Sequence, residues 1–202
     1  MTGKIAVSDS IMYLLKNDGD LDTIPTNFCF YELFFNCTSL ATPPELPATT
    51  LAELSYLRMF QGCSSLTTAP ELPATTLARN CYQFMFDGCT SLVNPPSELP
   101  ALSVPFAAYG DMFAGTAITK SPYIRATSVD GAWGMASMFK NCSSLNEIKM
   151  DYIGNFSGSG VPTDAFTTWV DGVASTGTFY YNGSDTTRGT SAIPENWTIQ
   201  SF

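Results

Sequence analysis

A chain of 202 residues with 45% hydrophobic residues is long enough to bury one sizeable core and gives no reason to expect several domains. Only 13% of residues are charged, the formal net charge is −9, and the nine Lys and Arg are scattered, so clustered phosphate neutralisation, and nucleic acid as a partner, are ruled against. No apolar run is long enough to cross a bilayer, so no membrane insertion is expected.

The opening Met1-Thr2-Gly3-Lys4-Ile5-Ala6-Val7 lacks the long apolar segment of a secretory signal. Two readings stay open, a protein that is never exported and a mature segment trimmed of its signal; the Ser/Thr-rich, Lys-poor composition favours the second. Residues 1–20 read as an N-terminal cap, in which Ile11-Met12-Tyr13-Leu14-Leu15 is a short strand or a turn of helix covering the open end of the first coil. Asn17-Asp18-Gly19-Asp20-Leu21-Asp22 alternates oxygen ligands around a Gly, as a calcium loop does. The downstream bidentate Glu is missing, so it reads as a solvated turn, and no metal or cofactor is assigned.

Residues 21–150 are built on a repeat. Met59-Phe60-Gln61-Gly62-Cys63-Ser64-Ser65-Leu66 returns 26 residues later as Met85-Phe86-Asp87-Gly88-Cys89-Thr90-Ser91-Leu92, and again as Met138-Phe139-Lys140-Asn141-Cys142-Ser143-Ser144-Leu145. Pro-Glu-Leu-Pro-Ala-Thr-Thr-Leu-Ala recurs between copies, at residues 44–52 and 70–78. A fixed period of this length means a stack of equivalent coils. Aligned, the copies give ladders: Leu21, Leu40, Leu66, Leu92, Ile118 and Leu145; Pro25, Pro44, Pro70, Pro96 and Pro122; Phe34, Phe60, Phe86, Phe113 and Phe139. Leu33, Met59, Met85, Met112 and Met138 precede the Phe ladder, and Cys37, Cys63, Cys89, Thr116 and Cys142 come after it. Each coil rises by roughly 4.8 Å, so a buried position must be apolar in every copy. Mixed three- and four-residue spacing over residues 51–60 and 77–86 predicts a short outer helix per coil. The Thr-bearing stretch 65–69, closed by Pro70, predicts a strand of a few residues.

The fourth coil drifts, with Ser97 inserted, Leu102-Ser103-Val104-Pro105 replacing Thr-Thr-Leu-Ala, Thr116 in the Cys phase and Trp133 in an extended turn. From Asp151 the repeated wording ends, and residues 151–202 read as a C-terminal cap. That cap has a short helix over residues 163–170, strands at 178–181 and 197–199, and Trp169 and Trp197 as its apolar plug. The expected fold class is therefore an α/β solenoid of about five 26-residue coils, capped at both ends.

Six cysteines in an exported chain suggest disulfides. The ladder favours buried thiols instead, although one bridge between stack neighbours is geometrically tolerable. Zinc is disfavoured by the absence of His and of Cys-x-x-Cys spacing. Without His, the usual general base and nucleophile pairs are missing, and Glu45, Glu71 and Glu98 read as a solvated ladder, not an acid/base pair. No catalytic residue is assigned, and the expectation is that the protein is not an enzyme.

The block MFxGCxSL…PELPATTLAxxCYxxMFxGC resembles the BspA-like, Treponema-type leucine-rich repeats of surface proteins from gut and oral Bacteroidetes, and the tail from Gly172 to Thr198 is similar to their closing segment. The resemblance implies a curved solenoid with strands on one side and helices on the other, set at the cell surface or outside the cell. It also implies a role in adhesion to a protein or glycan of the host or of other microbes. Apart from the resemblance, a solenoid offers an extended surface whose equivalent positions vary freely. The varying residues after each strand's Leu, namely Thr42, Thr68, Asn94, Lys120 and Glu147, are the candidate binding face; Tyr31, Leu57 and Gln83 vary on the opposite side. The alternative function is a receptor-binding, tail-associated protein of a phage that infects such bacteria.

Overall fold

A computed structural model describes residues 4–15 and 22–202; the acidic turn at 17–22 and Leu21 therefore fall wholly or largely outside the described residues. Every named strand pairs in parallel. β1 (Ile5–Ala6) lies against β2 (Leu40–Thr42). A second sheet runs β3 (Glu98–Leu99), β5 (Lys120–Ile124), β7 (Glu147–Met150), β8 (Thr178–Tyr180) and β9 (Thr198–Gln200), in that order. β4 (Ser103–Val104) pairs with β6 (Ser128–Val129) on a third line. Isolated parallel bridges extend these lines through shorter coils: Ser10 to Glu45, Thr23 to Thr50 to Thr76, and Thr68 to Asn94. Strands of two to five residues are too short to hold themselves. Their register comes from the rest of the coil.

The expected outer helices are not there. Residues 51–60 and 77–86, and likewise 163–170, form a ribbon of successive turns. In each ribbon every fourth residue has a left-handed backbone: Leu54, Arg58 and Gly62 in one coil, Asn80, Phe84 and Gly88 in the next. A left-handed residue at that interval breaks an α-helix before it completes a second turn. The hydrogen bonds explain why the ribbon is stable. Alternate N–H groups bond within the coil three residues back, as Met59 does to Tyr56 at 3.1 Å and Cys63 to Phe60 at 3.0 Å. The others donate to the next coil: Tyr56 to Cys81, Arg58 to Gln83, Phe60 to Met85 and Gly62 to Asp87, at 2.9–3.0 Å. A helix would consume all of these donors internally and leave adjacent coils unlinked. The third left-handed site is Gly62, Gly88, Gly115 and Gly172, or Asn36 and Asn141, residue types that tolerate it.

Stacked ribbons line up the ladders. Phe34, Phe60, Phe86, Phe113 and Phe139 stack with centroids 5.4–5.8 Å apart, and Trp169 continues the column at 6.0 Å. Phe30, Tyr56, Tyr82 and Tyr109 form a parallel column at 5.7–6.2 Å. Leu40, Leu66, Leu92, Ile118 and Leu145 are all buried, as are Met59, Met85, Met112 and Met138. The ribbon recurs at Asp164, Thr168 and Gly172, so coil geometry runs on past the last repeated wording, with Trp169 in the Phe phase.

Two alignments need correction. Pro25 does not continue the column of Pro44, Pro70, Pro96 and Pro122: those four are buried, whereas Pro25 is exposed beside Ile24, which bonds to Thr50. Residues 5–15, whose apolar run is a 3-10 turn at Ile11–Leu14, occupy the place over residues 39–45 instead. Pro122 also does not end its strand; it sits inside β5, at the register shift between Lys120 and Tyr123.

All six cysteines are free. The thiols of Cys63, Cys89 and Cys142 each donate to a Phe carbonyl one coil back, those of Phe34, Phe60 and Phe113, at 3.0–3.1 Å. Thr116 donates instead to Phe113 in its own coil at 2.8 Å, so the hydroxyl is satisfied without a thiol's reach. Burial raises the thiols of Cys63 and Cys81 to about 12 and that of Cys142 to about 11.

Two measurements probe this core. Phe86→Ala removes the middle of the aromatic column and is expected to cost about 3–5 kcal/mol in urea unfolding; Phe34→Ala, at the half-buried end, costs visibly less. Ellman titration of the native protein modifies the exposed Cys37 and more slowly the half-buried Cys29. Cys63, Cys81, Cys89 and Cys142 react only after unfolding, because a buried neutral thiol is a poor nucleophile.

Candidate binding face

The five candidate residues of the repeat fall on one line. Thr68 and Asn94 face each other across an isolated bridge, and the Asn94 amide donates to the Thr68 hydroxyl at 3.1 Å. Lys120 and Glu147 are cross-strand partners joined by a 3.0 Å ion pair. Thr42 holds the equivalent place on β2, paired with Ala6. Thr178 and Thr198 continue the line on β8 and β9. Glu147 is half-buried and the other four candidates are exposed.

A second outward line, two to four residues further along each coil, escapes the reading of the repeat phases. It pairs Glu98 with Tyr123, Tyr123 with Lys149, Lys149 with Tyr180, and Tyr180 with Gln200. Glu45 and Glu71 precede it in earlier coils, so the expected solvated carboxylate ladder is the start of a line that turns aromatic and basic. Glu71 is not simply solvated: the inserted Ser97 donates its N–H and its hydroxyl to the carboxylate, at 3.0 and 2.7 Å. Beside this stretch a shallow cleft of about 340 Å³ is lined by Pro44, Pro47, Pro70 and Pro73.

Around Tyr123 the second line forms a connected cluster with Arg125, Asp151 and Phe202. The Tyr123 hydroxyl donates to Asp151 at 2.6 Å, and Arg125 donates to the other oxygen of Asp151 at 2.8 Å. Arg125 also reaches Glu98 at 3.6 Å, which ties β3, β5 and the end of β7 together. The hydrogen bond to Asp151 raises both the Tyr123 phenol and the Arg125 guanidinium above their ordinary values. Arg125 and Lys149 lie over the Tyr123 ring, at 4.7 and 4.3 Å from its centroid. Phe202 covers the same group from above, with its ring 4.5 Å from the Lys149 ammonium. The signal for this line is the alternation in Lys120-Ser121-Pro122-Tyr123-Ile124-Arg125 and Glu147-Ile148-Lys149-Met150-Asp151, where Pro122, Ile124, Ile148 and Met150 are buried and Ser121, Tyr123, Arg125, Glu147, Lys149 and Asp151 between them are not. Recognising it requires the register between coils.

The ribbon side carries Tyr31, Leu57 and Gln83, and a small polar patch. Gln61 bonds to Asp87 at 2.6 Å, and nearby Asp111 is raised to about 6, first by burial and then by the charge of Asp87. Among the described residues no group of three or more His, Cys, Asp or Glu could hold a metal ion, and no helix is long and apolar enough to cross a membrane. Asp111 holds its proton more tightly folded than unfolded, so the fold loses stability as pH rises from about 4 to about 6. Asp111→Asn is expected to stabilise by on the order of 1 kcal/mol at pH 7, after allowance for solvent screening. That gain should shrink below pH 6 and be gone near pH 4; a difference independent of pH in thermal melts would contradict the assignment.

No family model and no curated protein matches the chain. Among solved structures, a leucine-rich repeat protein from Bacteroides ovatus is similar at a TM-score of 0.43 and 15% identity, over 88% of this chain. The present chain spans 43% of that protein's length.

Proposed function

We propose that the protein is a non-enzymatic binding module of the leucine-rich-repeat type, working at the cell surface in adhesion to a protein or glycan through its strand face. The observation that carries this reading is the second outward line, where Tyr123, Lys149 and Tyr180 stand on adjacent strands of one sheet. Aromatic and basic side chains held on a rigid surface give large contact area for little entropy lost, which is the usual make-up of binding hot spots. Thr42, Thr68, Asn94, Lys120 and Glu147 are proposed as the flanking recognition positions. Their polar and charged groups suit a rim that fixes orientation and excludes water. The low share of charged residues, 13%, and the lack of His fit recognition better than acid–base turnover. The chain as a whole is read as one unit with an N-terminal cap, a repeat body and a C-terminal cap.

An array of host matrix proteins and surface glycans tests the reading. The ligand retained at micromolar concentration should lose at least about tenfold in affinity on Tyr180→Ala and less on Thr68→Ala, as truncation of anchor and rim residues does. Gln83→Ala on the ribbon side should leave binding unchanged. An array with no ligand, or a ligand sensitive to Gln83 and indifferent to Tyr180, would overturn the assignment.

A further inference from the structure

The aromatic end of the strand face already holds an occupant. Phe202 leaves β9, the last strand of the sheet, and its ring reaches back over β7 and β5. There it meets the edge of Tyr123 at 5.8 Å and 78°, and the ring of Tyr180 at 6.5 Å and 76°. The Lys149 ammonium lies between the rings of Phe202 and Tyr123, 4.5 and 4.3 Å from the two centroids. The main chain of Phe202 is gripped separately. The Asn182 amide donates to its carbonyl oxygen at 2.9 Å and accepts its N–H at 3.1 Å.

These contacts divide cleanly by chemistry. Asn182 offers one donor and one acceptor to one residue's N–H and C=O, a pairing that reads an extended peptide whatever its side chain. Tyr123, Tyr180 and Lys149 read what the side chain must be: a flat π-system that takes edge contacts from two rings and a cation on its face. A pyranose without an acetamido group could lie on the rings but has no amide N–H and C=O for Asn182. Resting on the reading of the strand face as the binding surface, we propose that Tyr123, Lys149, Tyr180 and Asn182 form a subsite for an aromatic residue of an extended peptide segment in the partner protein. Phe202 is the intramolecular stand-in. It remains 46% exposed and is held by edge contacts to two rings, one ammonium and two hydrogen bonds, so it competes with the partner without sealing the site. A short tether raises the local concentration of such a competitor to the millimolar range, and removing its ring should uncover the subsite by a corresponding factor.

The test uses the full chain with Phe202→Ala and follows backbone amide signals while N-acetyl-phenylalaninamide is added. Saturable shifts are expected at Lys149, Tyr180 and Asn182, with an affinity roughly fivefold or more above that of the parent protein. N-acetyl-alaninamide should leave those signals in place, and adding Asn182→Ala should abolish the response. The peptide subsite is overturned if parent and variant respond alike, if the alanine probe works as well, or if methyl glucoside moves the same signals instead. An array ligand that still loses affinity on Tyr180→Ala would then leave the binding face standing and remove only the peptide subsite. If neither responds, the face itself is wrong.

Discussion

The rest of the structure depends on where alternate backbone N–H groups of the turn ribbon go. Tyr56, Arg58, Phe60 and Gly62 donate to the coil after their own, and the same four phases repeat at Tyr82, Phe84, Phe86 and Gly88. A left-handed residue every fourth position is the conformational cost, on the order of 1 kcal/mol for each side chain that is not Gly. What it secures is register. Once each ribbon is hydrogen-bonded to the next, equivalent side chains sit directly over one another, and Phe60 meets Phe86 at 5.6 Å with planes only 3° apart. The strands opposite, two to five residues long, then pair in parallel without having to find their own alignment.

That dependence explains which parts of the fold are legible in the sequence. A position facing the inside of the stack has the same neighbour in every coil, so Leu66 and Leu92, Met59 and Met85, and Phe60 and Phe86 must match, and the repetition gives them away. The ribbon looks like a helix in the sequence because both conformations place residues three and four apart on one face. Apolar spacing cannot separate them. The distinguishing feature is the two phases held by Asn80 and by Asn36, Gly62, Gly88, Gly115 and Asn141, which mark left-handed sites and not merely one turn per coil. The coil at 164–172 is hidden for the opposite reason. It keeps the hydrogen-bonding pattern and the aromatic column through Trp169 but none of the wording.

The binding face is half legible. Thr68, Asn94, Lys120 and Glu147 lie just after a conspicuous Leu or Ile, so their shared phase can be counted along the chain. The line from Glu98 through Tyr123, Lys149 and Tyr180 to Gln200 cannot, because Pro122 lies inside β5 and shifts its register by one residue. Glu45, Glu71 and Glu98 look like a self-contained series only because the next member is a Tyr.

The change of character along that line has a physical logic. An outward side chain in a solenoid touches only solvent and its two neighbours in the line, so nothing in the core prevents it from differing between coils. Divergence is tolerated wherever local pairing can absorb it, and the cluster at Tyr123 does absorb it. Arg125 joins Glu98 to Asp151, Asp151 also takes the Tyr123 hydroxyl, and Lys149 settles against rings without a carboxylate beside it among its described contacts. An ammonium satisfied by π-faces gives up less on meeting a new aromatic group than one locked in an ion pair, because no salt bridge has to break first. The repeated core therefore supplies rigidity and spacing, and the capacity to discriminate collects where the repeat fails, on β5, β7 and β8 beneath Phe202.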